Sequence, residues 1–157
     1  MVQTVYDAAG GREGLLALAH AWHVRCLADP VVAHAFSHGY RDDHSERLAA
    51  YWAEALGGPT EFTDTMADES HVLRLHSGNG PHEEMDHRAL EAFVLALDDA
   101  GVPDTELPDG VRLRQVLTDY FAWGIGYLGQ YHHSADDVPA GLPLPRWSWD
   151  GLVPPAG

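Results

Sequence analysis

The chain has 157 residues, enough for one domain with a substantial core, and nearly half of them are apolar, so it is expected to fold on its own. Its 24 acidic against 9 basic side chains, a formal net charge of -15, argue against a nucleic-acid or anionic-membrane surface, since both need clustered lysine and arginine. No apolar run approaches the roughly 20 residues of a membrane helix, no charged start precedes an apolar block at the N-terminus, and the single cysteine leaves no intrachain disulfide and no thiolate metal cluster, all of which points to the cytoplasm.

Periodicity reads as helix nearly throughout. Leu15, Leu18, Ala19, Trp22 and Cys26 fall on one helical face, and Cys26 on that stripe reads as core packing rather than as a nucleophile. His34 and His38 stand four apart, a spacing that suits a transition metal on a helix. No Glu or Cys completes the set, so a solvated pair is the simpler reading. A second helix spans about residues 43–56, with Leu48, Tyr51, Trp52, Ala55 and Leu56 on one side and Asp43 with Glu46 as a capping box. Gly57-Gly58-Pro59 stops it, because the glycines can turn left-handed and the proline cannot continue a helix. A loop over about residues 60–69 leads to a short turn of helix ending at His76, and Ser77-Gly78-Asn79-Gly80-Pro81 breaks the chain. Leu90, Phe93, Val94 and Leu97 mark a third amphipathic helix, closed by Gly101 and Pro103. A fourth runs from about 111 to 131, with Leu113, Val116, Leu117, Tyr120, Phe121 and Leu128 in one stripe, and His132-His133 close it where positive charge is favourable. No period-2 run is long enough for a sheet, and no internal repeat is present. From Ser134 the composition shifts: five prolines and three glycines accompany Trp147 and Trp149. That density of proline excludes helix, while a disordered tail is normally poor in tryptophan. The chain therefore divides into a helical body, residues 1–134, and a tail, 135–157, of which residues 146–152 are expected to dock on the body as an extended segment; a flexible, partner-binding tail is the alternative.

Eleven histidines are many for this length. His44 lies in the first turn after Asp43 and shares a helix face with Leu48. His76 comes 32 residues after His44, beyond a break and a loop, so the two imidazoles can face each other across a planar ligand. Neutral imidazole is an axial ligand for haem iron, and a second-shell acceptor fixes its tautomer. Phe36, Leu48, Val72, Leu73, Phe93 and Val94 are the candidates for the apolar slot around it. On spacing alone, the other reading of His76 is a helix-end histidine favoured by the C-terminal dipole. His20 reads as pointing away from His23, and His71, His82 and His87 have no evident partner. There is no phosphate-cradling glycine loop after a strand and no Gly-x-Ser-x-Gly elbow.

Over residues 5–134, about four-fifths of the sequence, the chain resembles a truncated globin of the second group. The resemblance rests on Tyr6-Asp7-Ala8-Ala9-Gly10-Gly11, Ala28-Asp29-Pro30, Glu46-Arg47-Leu48 with Tyr51-Trp52, Gly57-Gly58-Pro59-Thr60, Leu73-Arg74-Leu75-His76 and Leu97-Asp98-Asp99-Ala100-Gly101. It implies an all-α, two-on-two helical sandwich binding a b-type haem. His76 falls on the proximal iron ligand, His23 on the distal position of the second family helix, and Phe36 on the aromatic that wedges the haem edge. His44 and Leu48 fall on the distal helix, and Ala89 falls where the group usually carries a tryptophan; Arg74 and Phe93 complete the implied cofactor-binding set. The chain departs from the pattern at three of these places. His23 replaces a tyrosine, exchanging a phenol for an imidazole that can accept or carry a proton. Ala89 in place of tryptophan implies a roomier, wetter distal side. Two distal histidines without a distal tyrosine favour iron held by histidine on both faces when no ligand is bound. The segment after His76 is less apolar than the family's, and the tail has no counterpart in the family core.

The implied activity is binding of O2 or another diatomic ligand, NO or CO, with NO oxidation or peroxide turnover as redox uses, electrons from an unidentified reductase, and a monomeric or homodimeric state. Two alternatives stand beside it. One is a dedicated haem enzyme acting on a small organic substrate in the space left at Ala89, with His23 or His44 as acid/base. The other is a globin-fold module that has lost haem and serves binding or sensing.

Overall fold

Thr4 opens the first helix, α1 (Val5–Ala8): its hydroxyl accepts from the Asp7 N–H at 3.0 Å, satisfying one of the donors left over at a helix start. The chain turns at once through Gly10, whose φ of 98° only glycine adopts without strain, into α2 (Gly11–Ala28). Asp29 then caps α3 (Pro30–Ala33), accepting from Val31 N at 2.9 Å, with Pro30 in the first turn where its missing N–H costs nothing. A 3-10 turn, His34–Phe36, follows. The computed structural model describes residues 3–36, 42–106 and 110–155.

The remaining helices are α4 (His44–Ala55), α5 (Glu61–Thr65), α6 (Glu69–Leu75), α7 (Glu83–Asp99) and α8 (Leu113–Leu128). The helix α2 packs on α4 and on α7, and α7 packs on α8, which gives the two-on-two sandwich. Leu15, Leu18, Trp52, Phe93, Leu97, Leu113, Leu117 and Phe121 fill the interface. Phe93 stacks on Phe121 at 4.2 Å, and the edge of Trp52 meets Phe93 at 5.7 Å. No helix among the described residues is long and apolar enough to cross a membrane.

The expected elements are present, with local corrections. Asp43 is the N-cap of α4, but its carboxylate makes no capping hydrogen bond to the helix, so no capping box forms with Glu46. The loop at 60–69 contains the short helix α5, held because the buried Glu54 carboxylate accepts from Thr63 N at 2.9 Å and from Thr63 Oγ1 at 2.6 Å. Val94 was placed in the apolar slot but is 44 % exposed: on α7 the buried side is made by Ala92, Phe93, Ala96 and Leu97, and Val94 lies a further 100° round. The last helix ends at Leu128, so His132 and His133 lie beyond it.

Past α8 the chain folds back on the helices. Val138 and Leu144 are buried, and Trp147 meets Tyr120 ring edge to face at 5.8 Å. Where an extended run was expected, residues 146–152 belong to a short antiparallel hairpin, β1 (Arg146–Ser148) paired with β2 (Gly151–Val153), with Trp147 opposite Leu152. Three-residue strands carry no readable alternation, which is why the sequence shows none. The indole of Trp149 donates to Gln3 O at 2.7 Å, tying the hairpin to the N-terminus.

Candidate functional site

His76 sits at the end of α6 as its C-cap, six residues beyond Ser70 and about 120° round the helix from it. Asp68 starts that helix by accepting from His71 N at 2.8 Å. His76 Nδ1 lies 2.8 Å from the backbone oxygen of Val72, one turn back. A carbonyl only accepts, so Nδ1 carries the proton and Nε2 keeps its lone pair. Protein packed around the ring lowers its pKa, the Val72 bond opposing this and His82 adding to it, although the residue stays open to solvent. The result is an imidazole held in one tautomer, its Nε2 lone pair not used by the Val72 bond.

A second group of rings gathers from α2, the 3-10 turn and α4. His23 is 1 % exposed, and its Nδ1 shares a 2.9 Å hydrogen bond with Ser45 Oγ. His44 turns inward from the first turn of α4 and stacks on His23 at 4.4 Å, 23° from parallel. Phe36 sets its ring edgewise to both, at 5.8 Å from His23 and 5.4 Å from His44. Burial drives the His23 pKa down to about 3, with His44 and then His20 adding repulsion, so this imidazole is neutral at physiological pH. Leu48, one turn beyond His44, is half-buried against the core.

The structure thus brings His23, Phe36 and His44 together and places His76 on a separate helix. Ala89 is half-buried, and its carbonyl accepts from the Trp22 indole at 3.0 Å. Trp22 also packs on Phe121 at 5.4 Å and on Trp52 at 6.3 Å. The Ala89 backbone is therefore tied to an indole from α2. Phe93 is fully buried between Trp52 and Phe121. Arg74 is exposed and donates to Val138 O at 3.4 Å. His34 is exposed, while His38 lies outside the described residues; among the described residues no group of three or more His, Cys, Asp or Glu is placed to hold a metal ion. Cys26 is buried, and burial pushes its thiol up to about 12, which leaves it inert.

Three participants escaped the sequence reading. Ser45 was placed beside His44, but its bond to His23 spans 22 residues of sequence. Trp22 read only as one member of an apolar stripe. Glu69 read only as the end of the loop before the short helical turn, yet it is 1 % exposed and accepts from the Tyr51 hydroxyl at 2.9 Å. Burial raises its carboxyl to about 7, against the bonds from Tyr127 and Tyr51, with Glu54 and Asp68 adding to the rise. Tyr51 on the buried side of α4 was the one available signal, since a buried phenol needs a partner.

Comparison with known proteins bears on the family and the fold. The profile of the bacterial-like globin family matches residues 4–118. A group 1 truncated hemoglobin, GlbN of Mycolicibacterium paratuberculosis, is 32% identical over 102 residues, covering 64% of this chain and 70% of that protein. Among solved structures, the thermostable hemoglobin of the actinobacterium Thermobifida fusca superposes with a TM-score of 0.64 at 23% identity, over 89% of this chain and 100% of that one. The group II truncated hemoglobin of Bacillus anthracis superposes with a TM-score of 0.64 at 16% identity, over 82% of this chain and 92% of that one. The helices, their packing and these matches together make the chain a member of the bacterial-like globin family, with the fold of a truncated haemoglobin.

Proposed function

We infer that this protein is a haem-binding truncated haemoglobin of the second group, holding a b-type haem through His76 and taking up a diatomic ligand on the side of His23, Phe36, His44 and Leu48. One observation carries the reading. His76 donates its Nδ1 proton to Val72 O at 2.8 Å, which leaves Nε2 as a neutral donor at a helix end that solvent can reach. A helix-end histidine held by the dipole alone would favour the charged form, whereas here protein packing lowers the pKa.

When bound, the haem supplies an iron that coordinates O2, NO or CO and exchanges electrons. The chain's own residues do the rest. His76 would hold the iron through its Nε2. His23, neutral and bonded to Ser45, offers a polar contact to a bound ligand without burying a charge. Phe36 and Leu48 keep that side apolar. The assignment to the second group is supported by the sequence motifs and by the group II structures among the neighbours, while the curated relative at 32% identity is a group 1 protein. A reductase in the cytoplasm would return oxidised iron to the ferrous state.

The Trp22 indole beside Ala89 speaks against the reading as an enzyme for a bulky organic substrate. The His76 geometry speaks against a haem-free module. An absorption spectrum of the purified protein tests the proposal, with a Soret band that shifts on adding CO to the reduced form as the expected result. The His76→Ala protein should lose its haem. Full haem retention with an unchanged Soret band in that variant would remove His76 as the ligand. Turnover assays with NO and with peroxide then separate gas carriage from redox chemistry.

A further inference from the structure

A helix as short as α6, with seven residues, has no stability of its own, since isolated helices below about 12–15 residues are marginal in water. Its position is set by what it packs on. Its inner side buries Val72 and Leu73, and Glu69 at its start is fastened to Tyr51 of α4 at 2.9 Å. Its outer side is covered by the chain beyond α8. Ser70 is buried there: its hydroxyl donates to Pro139 O at 2.7 Å and accepts from Leu142 N at 3.1 Å. One turn on, Arg74 donates to Val138 O at 3.4 Å. Past His76, Gly78 N and Gly80 N donate to Tyr131 O at 3.1 Å and His132 O at 2.9 Å. Residues 131–142 thus grip the chain on both sides of His76 without an observed bond to its ring. Val138 anchors this strap in the core.

Ser70 and Arg74 are four apart and share the strapped face, whereas His76 lies about 120° round the helix from Ser70. The strap therefore fastens the helix on a face other than the one that carries the imidazole. Ser70 makes two of its bonds with one buried hydroxyl, so losing that hydroxyl unfastens both and leaves Pro139 O and Leu142 N to find other partners.

We propose that Ser70 is a positioning residue for His76: through the 131–142 strap it sets the tilt and depth of α6, and thereby the approach of the imidazole to the iron. The inference rests on His76 being the ligand. The strap, residues 131–142, lies outside residues 4–118, the part of the chain matched by the family profile.

The test compares Ser70→Ala, Ser70→Thr and Trp149→Phe in the full chain. Trp149→Phe releases the hairpin from Gln3 but leaves the strap untouched. Hydrogen exchange on haem-free protein should show amides 72–76 exchanging about tenfold faster in Ser70→Ala, with α2 and α7 unchanged. Resonance Raman on the reduced, haem-loaded protein should show the iron–histidine stretch shifted or broadened in Ser70→Ala, restored in Ser70→Thr and unaltered in Trp149→Phe. Faster exchange with an unchanged iron–histidine band would make the strap merely structural and overturn the proposal. An equal band change in Trp149→Phe would overturn it too, since any loosening of the tail would then suffice. Haem retained by His76→Ala overturns the ligand assignment and this inference with it. An unchanged band in Ser70→Ala alongside a haem-free His76→Ala protein overturns this inference alone.

Discussion

His23 and His44, from two different helices, lie face to face with ring centroids 4.4 Å apart. Two stacked imidazoles at that distance cannot both be charged, and burial already holds His23 neutral. Because they touch, they are expected to act as a unit on a bound ligand. His23→Phe should speed O2 release about tenfold, the loss of one polar contact to the ligand. His44→Leu should also speed it, and the double variant should fall short of the product of the two effects. Stopped-flow O2 dissociation gives the coupling. Additive effects, with a coupling under about 0.5 kcal/mol, would show that the two rings act on the ligand separately and not as a unit.

Two buried groups titrate in opposition. His23 is neutral in the fold down to about pH 3 and must gain a proton on unfolding below its ordinary 6.5. Its contribution to stability is therefore lost as pH falls from 6.5 toward 3. Glu69 keeps its proton in the fold up to about 7 but sheds it on unfolding above 4.5, so its contribution is lost as pH rises from 4.5 to 7. Each slope reaches at most about 1.4 kcal/mol per pH unit, and between 4.5 and 6.5 they offset. Glu69→Gln should therefore lose about 2 kcal/mol relative to the parent on going from pH 6.5 to 5. His23→Phe should gain a similar amount over the same step. Urea unfolding at the two pH values measures both, and parallel pH profiles for parent and variants would refute the opposition.

How much of this was legible depends on the distance over which each signal acts. The helices α2, α4, α7 and α8 announce themselves through spacings of three and four, and the Gly57-Gly58-Pro59 stop is local chemistry. His76 could be singled out because a break, a loop and a helical turn precede it. The bond of Ser45 to His23 joins residues 22 apart, and that of Ser70 to Pro139 joins residues 69 apart. No periodicity reports such pairings. Trp22 shows the same limit from another side. The stripe correctly placed it facing the core, but only the packing of α2 on α7 revealed that its indole stands at Ala89.

That indole makes a prediction about ligand size. Trp22 donates to the Ala89 carbonyl and leans on Phe121 and Trp52, so it has little freedom to move aside. The ferric parent should reject imidazoles carrying a phenyl group, and Trp22→Ala should admit them. Ala89→Trp should not simply shrink the pocket but overpack against Trp22, at a cost of about 1–3 kcal/mol. Titrations followed at the Soret band, with thermal melts of the same proteins, read both effects. A parent that binds the phenyl-bearing ligands as well as Trp22→Ala does would mean that Trp22 closes nothing.

The glycine pair after α4 is held by two different constraints, and the second gives the sharper test. Gly57 has φ of 99°, a left-handed turn that reverses the chain at the helix end. Gly58 has no such need. Its N–H reaches Ala53 O at 2.7 Å, and a Cβ there would lie 2.8 Å from that same oxygen and 2.7 Å from the Tyr6 ring. The ring is fixed in turn, because Tyr6 N donates to Leu56 O at 3.0 Å and so sets α1 across the end of α4. Neither neighbour is the loose end of a side chain, so a methyl group can be accommodated only by moving backbone. Gly58→Ala should cost about 1–3 kcal/mol, as overpacking of a tight contact does. Gly80→Ala, at a left-handed position with nothing within 4 Å, should pay only the conformational term, about 1 kcal/mol. Denaturant melts of the two variants decide between the causes. If Gly58→Ala proves the milder of the two, the close approach of α1 to the end of α4 is not what demands glycine there.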